Sequence, residues 1–289
     1  MTLDKLALRH SVRSYSDTPL SQSDKSKIRA AITSINSHEA GLHFSLVTDS
    51  PEAFQGFRRS YGLFKGVRNY IVLSADVSAY EMMTQKVGYY AEMLVMKCVD
   101  MGLGTCFVAG TFSRKHVNVQ LRAGWEIIAL VAVGYKAEEK EGKVASMARK
   151  FIKRNSKAPL QFYKGNIPVE ELESSLPLFL PALKAVSLAP SAVNKQPVNI
   201  KVISKNDSHS FSPHKEEFME VEAEQRRFLL SPVYSVLNMP LNFDCDYLIE
   251  AYVDKESQLI DLGIAMWNFE QAFPGYWVWG NPAKFIPMK

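Results

Sequence analysis

Ala189-Pro-Ser-Ala-Val-Asn-Lys-Gln-Pro197 is the stretch on which the reading of this 289-residue chain turns. Prolines at positions 190 and 197 restrict its backbone, while Ser191, Asn194 and Gln196 present short polar groups in a turn. It follows the segment Leu183 to Leu188 and sits in a turn after a helix. Donors and acceptors side by side suit a heteroaromatic ring that carries both. The same residues also suit a turn held by its own Asx and Ser bonds.

Two other stretches carry chemistry. Gly102-Leu-Gly-Thr-Cys-Phe-Val-Ala-Gly110 has three glycines in nine residues after a helix, which lets backbone approach a flat ligand closely. A backbone N–H there can face a ring nitrogen on which charge builds during hydride transfer. Its spacing is not that of a GxGxxG dinucleotide loop, and no strand leads directly into it. Arg9-His10-Ser11-Val12-Arg13 places two guanidinium groups and a hydroxyl on one side of an extended backbone. Arg forks with a hydroxyl suit a phosphate monoester, although short basic segments are also commonly solvated.

Between these stretches the periodicity predicts mixed helices and strands. Ser21-Gln-Ser-Asp24 opens a helix to about Ile35, Gly88 to Met101 has helical spacing, and Leu262 to Phe273 mirrors it. Strands are predicted at 44–47, 70–74, 127–133, 200–203 and 247–253, and a helical stretch after Pro168. The continuous apolar run Ile127 to Val133 suits a strand buried on both faces. The charged segment from Lys136 to about Gly165 reads as a connector, after which a similar order of elements begins again. The expected organisation is therefore α+β in two half-copies, 1–160 and 161–289.

Hydrophobic residues at 47% and charged residues at 22% are those of a globular chain. A net charge of +4 without a long basic run argues against nucleic acid, and no apolar run is long enough to span a membrane. The N-terminal residues lack the pattern of a secretory signal. Cys98, Cys106 and Cys245 are without metal-type spacing, and the six histidines form no HxxxH pair. A cytoplasmic protein with no metal site is expected.

Taken together, Arg9-x-Ser11-x-Arg13, the Gly102–Gly110 segment, a strand ending Val133-Gly134-Tyr135 and the Ala189–Pro197 loop resemble the FMN-dependent nitroreductase family. In ordinary members these occur once per chain, and two chains dimerise around FMN. Here the loop position after the first helix reads Ser34-Ile-Asn-Ser-His-Glu-Ala-Gly41, without the proline and glutamine. The second half keeps the loop but has no Arg-x-Ser-x-Arg. Each half has kept what the other lacks, which is similar to single-chain nitroreductase-like proteins whose duplication replaces the homodimer. The helix Asp261-Leu-Gly-Ile-Ala-Met-Trp-Asn268 also resembles the family's dimer-core helix.

The resemblance implies a nitroreductase-like fold with two fused half-copies forming a pseudo-dimer. It implies one FMN per chain, held at its phosphate and ribityl chain by Arg9, His10, Ser11 and Arg13. Lys157, with Arg154, matches a basic pair that closes on the phosphate just before Pro159. Pro190, Ser191, Asn194 and Gln196 would reach the ring from the other half, and Phe107, Val108, Ala109 and Gly110 would lie along one side of it. No catalytic side chain is required, because the flavin performs the chemistry. NAD(P)H is the implied donor and a nitroaromatic, quinone or similar small molecule the acceptor. A non-catalytic FMN-binding relative, storing flavin or sensing redox state, is the alternative. The chain would be a monomer or a weak homo-oligomer. Two departures stand out: Val198 follows Gln-Pro where the family often has Trp, and Ala109 replaces an acidic residue found in some members. Trp277 and Trp279 are read either as lining the ring's open face or as packing.

Overall fold

The computed structural model describes residues 1–55, 63–138, 156–204 and 246–287. Its helices are α1 (Leu3–Leu8), α2 (Gln22–His38), α3 (Tyr80–Asp100), α4 (Val169–Ser175), α5 (Phe179–Leu188) and α6 (Leu259–Ala272). Its strands are β1 (Leu42–Val47), β2 (Tyr70–Asp76), β3 (Gly104–Val108), β4 (Trp125–Gly134), β5 (Asn199–Ser204), β6 (Tyr247–Tyr252), β7 (Gly275–Val278) and β8 (Ala283–Pro287). The Ser21 hydroxyl accepts from the Asp24 N–H at 3.0 Å and opens α2, as the capping pattern predicts.

The strands form two four-stranded sheets, ordered β1-β2-β4-β3 and β5-β6-β8-β7, with every neighbouring pair antiparallel. The second sheet thus repeats the strand order of the first. β4 is central and buried on both faces, because one face packs on α2 and α3 and the other on Val12, Tyr15, Phe54 and Phe112. In the second sheet, β5, β6, β7 and β8 pack Ile200, Ile249, Trp277 and Phe285 against α5 and α6.

Helices α3 and α6 make the most extensive contact between helices. A Cβ on Gly88 would overlap the Ile260 carbonyl, and a Cβ on Gly263 would overlap that of Gln85. Only glycine permits this backbone approach at both places. The pairs 85/263 and 88/260 are related as a two-fold axis between the helices would relate them. α1 lies across α3, α5 and α6, where Leu6 packs with Met96, Ala185 and Trp267.

Three expectations are revised. α3 begins at Tyr80, well before residue 88, because buried Thr84 and Gln85 break the apolar period of its first turns. α6 begins at Leu259. The glycine-rich stretch contains a strand, β3, paired with β4 from Gly104↔Gly134 to Val108↔Leu130.

Candidate functional site

The Arg9–Arg13 stretch lies against the outer side of β3. Ser11 bridges Thr105 in parallel, and the Val12 N–H donates to the Thr105 carbonyl at 2.8 Å. A Cβ on Gly104 would stand 2.9 Å from the Val12 side chain, so glycine lets the two backbones come together. Beyond it the chain is held firmly. Lys65 N–H donates to the Arg13 carbonyl at 2.9 Å, and the buried Tyr15 hydroxyl donates to the Val12 carbonyl at 2.8 Å.

This anchoring turns Ser11 and Arg13 into a cavity of about 260 Å³. Phe107, Val108, Ala109 and Gly110, at the end of β3, form one wall. Pro190 and Ser191 arrive from the loop after α5, and Ile260, Asp261 and Ile264 of α6 are also part of the lining. The stretch near residue 10 and the turn near residue 191 therefore meet in one place. Most of the wall is apolar, while the guanidinium of Arg13 supplies positive charge. Burial pushes the Cys106 thiol up, with Arg13 and a Ser11 hydrogen bond pulling the other way.

Six expected residues do not line the cavity or cannot be placed there. Arg9 is the C-cap of α1 and is itself in extended backbone. Its side chain is largely buried, with Nε 4.0 Å from Glu92 Oε1. Glu92 is fully buried and pushed up to about 7 by burial, and Asn268 Nδ2 donates to it at 3.3 Å. His10 is exposed, its ring Nδ1 3.1 Å from the Leu8 carbonyl. Lys157 holds its ammonium 5.3 Å from the centre of the Phe162 ring. Arg154 lies outside the described residues.

Asn194 and Gln196 make hydrogen bonds within the loop. Gln196 is buried: Oε1 accepts from the Lys157 N–H at 2.7 Å and Nε2 donates to the Ser187 carbonyl at 2.8 Å. Its own N–H donates to the Ser191 hydroxyl at 2.8 Å, and the Asn194 N–H donates to the Ser191 carbonyl at 3.0 Å. The bracing forces left-handed backbone on three non-glycine residues, Val193 (φ 46), Asn194 (φ 53) and Gln196 (φ 46). For β-branched Val193 this is strained, and such strain gathers where a loop is over-determined around a site. Val193→Gly should raise unfolding stability by about 1 kcal/mol, read as a higher urea midpoint. An unchanged or lower midpoint would count against stored strain.

Asp261 was missed by sequence reading, and its signal was a carboxylate in the first turn of an apolar helix. It is 7% exposed, accepts from the Ala192 N–H at 3.1 Å, and burial raises it to about 6. A raised carboxyl binds a proton in the folded state that the unfolded chain has released, so stability falls as pH rises from about 4 to 6. Asp261→Asn keeps an acceptor for Ala192 and should flatten that fall by up to about 3 kcal/mol. Urea unfolding at pH 4.5 and 7 compares the two proteins, and equal pH slopes would refute the assignment.

Among the described residues no helix is long and apolar enough to cross a membrane, and no metal-binding cluster of His, Cys, Asp and Glu occurs. The family model described as "Putative TM nitroreductase" matches residues 2–273. The crystal structure of "a putative nitroreductase" from Thermotoga maritima MSB8 is similar at a TM-score of 0.51 and 16% identity, covering 100% of this chain and 94% of that one. An FMN-dependent nitroreductase from Clostridium difficile R20291 aligns with 52% of this chain and 97% of its own, at 18% identity and a TM-score of 0.37. A nitroreductase family protein from Clostridium novyi NT aligns with 50% of this chain and 90% of its own, at 17% identity and a TM-score of 0.38. No curated protein matches. With a fold of two antiparallel sheets flanking a helix pair and a family match over nearly all its length, the chain belongs to the nitroreductase family.

Proposed function

We propose that the chain is an FMN-dependent oxidoreductase built as a pseudo-dimer, with its flavin site at the cavity between the halves. The observation that carries this reading is the convergence of Ser11 and Arg13 with Pro190 and Ser191 on that cavity. Neither half supplies both groups. The repeated strand order and the reciprocal glycine contacts of α3 and α6 support two fused half-copies. Phe162 packs in the second core, and the Lys157 N–H is bonded to Gln196, which supports a boundary before residue 160.

The residues fit the cofactor. FMN is flat and largely apolar at its ring and anionic at its phosphate, and the cavity pairs an apolar wall with a guanidinium and a hydroxyl. Bound there, FMN supplies two-electron hydride chemistry, with NAD(P)H as donor and a nitroaromatic, quinone or similar molecule as acceptor. Arg13 and Ser11 would anchor the anionic end. Phe107, Ile260 and Ile264 would exclude water beside the ring, and the backbone at Ala109 and Gly110 would offer N–H groups to it. Asp261 would hold or release a proton at its carboxyl near pH 6. Arg9, set against Glu92, would support the extended stretch that carries Ser11 and Arg13. The protein would act in the cytoplasm, complete within a single chain.

Titrating the purified protein with FMN should give one flavin per chain. Anaerobic stopped-flow mixing with NADH, and separately NADPH, should then bleach the flavin band. Binding without bleaching by either would favour the storage or sensing alternative. Failure to bind FMN would refute the proposal.

A further inference from the structure

Rotating the cavity about the two-fold relation of α3 and α6 generates a second position on the other side of the helix pair. There Ile260, Asp261 and Ile264 map onto Gln85, Lys86 and Tyr89. The strands map in the same way. Phe107 and Trp277 both face the helix layer from an edge strand, paired with Val131 and Phe285, which align with Ile71 and Ile249. Phe107-Val-Ala-Gly110 therefore corresponds to Trp277-Val-Trp-Gly280, and Ala109 to Trp279.

The second position is filled from within. The Trp279 ring lies 5.3 Å from that of Tyr89, edge to face, and 6.4 Å from that of Tyr90, stacked at 29°. The Lys86 ammonium sits 5.4 Å from its centre. Gln85 fixes the following residue twice, donating to the Gly280 carbonyl at 2.8 Å and accepting from its N–H at 3.0 Å. Lys86 also binds Glu39, the cap of α2, at 2.7 Å, as Asp261 binds the Ala192 N–H in the first cavity. The frame of a site is kept, and an indole stands in it.

We infer that Trp279 is an internal plug, occupying a second, pseudo-symmetric pocket where a planar heteroaromatic ring would otherwise lie, and so limiting the chain to one ligand. The class of ligand rests on the flavin reading of the first cavity. The second half has no Arg-x-Ser-x-Arg, so the pocket takes a ring without a phosphate. At the first site the equivalent residue is Ala109, which leaves the wall open.

The test is equilibrium dialysis of the full chain against lumiflavin, which has the ring and no phosphate. Wild type should bind one, Trp279→Ala two, Ala109→Trp none, and the double variant one, with folding checked by circular dichroism. A folded Trp279→Ala that still binds one lumiflavin overturns the plug and leaves the flavin reading intact. Should Trp279→Ala fail to fold, Ala109→Trp decides, since a folded Ala109→Trp that binds like wild type shows that this position does not block a ring. Wild type that binds neither lumiflavin nor FMN sinks the flavin reading, while a lumiflavin gained by Trp279→Ala would still support the plug.

Discussion

Gly263→Val is expected to abolish the folded state, with a loss of more than about 4 kcal/mol and no soluble native protein at 37 °C. The reason is backbone contact. A Cβ at this position would overlap the Gln85 carbonyl and stand 2.8 Å from the Tyr89 nitrogen, and neither is the end of a flexible side chain. Relief requires α3 and α6 to move apart, and buried Met266, Phe269, Leu94 and Val95 on those helices would lose their packing. Helix propensity cannot account for the loss, because valine is the better helix former in isolation. Gly88→Val should do the same from the other side of the axis, through the Ile260 carbonyl. Gly110→Ala is the control: a Cβ there meets nothing within 4 Å, and stability should change by less than about 0.5 kcal/mol. Urea unfolding followed by circular dichroism reads all three. A Gly263→Val protein within about 1 kcal/mol of wild type would mean that the helices do not cross as described.

That crossing shows how far sequence goes in this chain. The Ser21 cap, the apolar run of β4 and the order of elements after residue 160 were legible because each rests on local chemistry or on periodicity. The expectation of two half-copies rests on complementary losses, the proline and glutamine missing near residue 36 and the Arg pair missing after residue 160. What escaped was set by tertiary contact. Arg9 and Arg13 look equivalent in an Arg-x-Ser-x-Arg pattern, yet Arg9 caps α1 and faces Glu92 while Arg13 faces the cavity. Alternation gives the side of the backbone and not the partner: Arg9, itself extended, lies beside the buried carboxylate that α3 presents there. Gln196, expected beside the ring, has its side chain bonded to Lys157 and Ser187, in a loop whose three left-handed residues need hydrogen bonds of their own. Asp261 was hidden in an apolar helix whose neighbours, read alone, spell core. The correspondence of Ala109 with Trp279 could have been read from Phe-Val-Ala-Gly and Trp-Val-Trp-Gly. It gained meaning only when the sheets showed both to be edge strands facing the same helix pair.

The division between Arg9 and Arg13 yields the second large effect. Arg13→Ala should weaken FMN binding by about 100-fold, the cost of removing one charge-assisted partner from a dianionic phosphate. Riboflavin has no phosphate, and its affinity should fall by less than about threefold, since a long-range charge contributes little beside water and salt. Raising ionic strength should weaken FMN binding to wild type more than to Arg13→Ala. Arg9→Ala should behave differently. It takes the cation away from Glu92, a carboxylate that is fully buried and already raised to about 7. Its cost should appear as lost stability at pH 8, where the buried Glu92 either holds its proton against the solvent pH or ionises without a counter-charge, and shrink below pH 6, where it is neutral. FMN affinity should stay within about fivefold of wild type wherever Arg9→Ala is folded. Fluorescence titration with both flavins, set beside urea unfolding at the two pH values, separates a ligand contact from an internal support. If both variants lost FMN alike, or if Arg13→Ala weakened riboflavin as much as FMN, the phosphate would not be held by Arg13 and the orientation of the cofactor would have to be reversed.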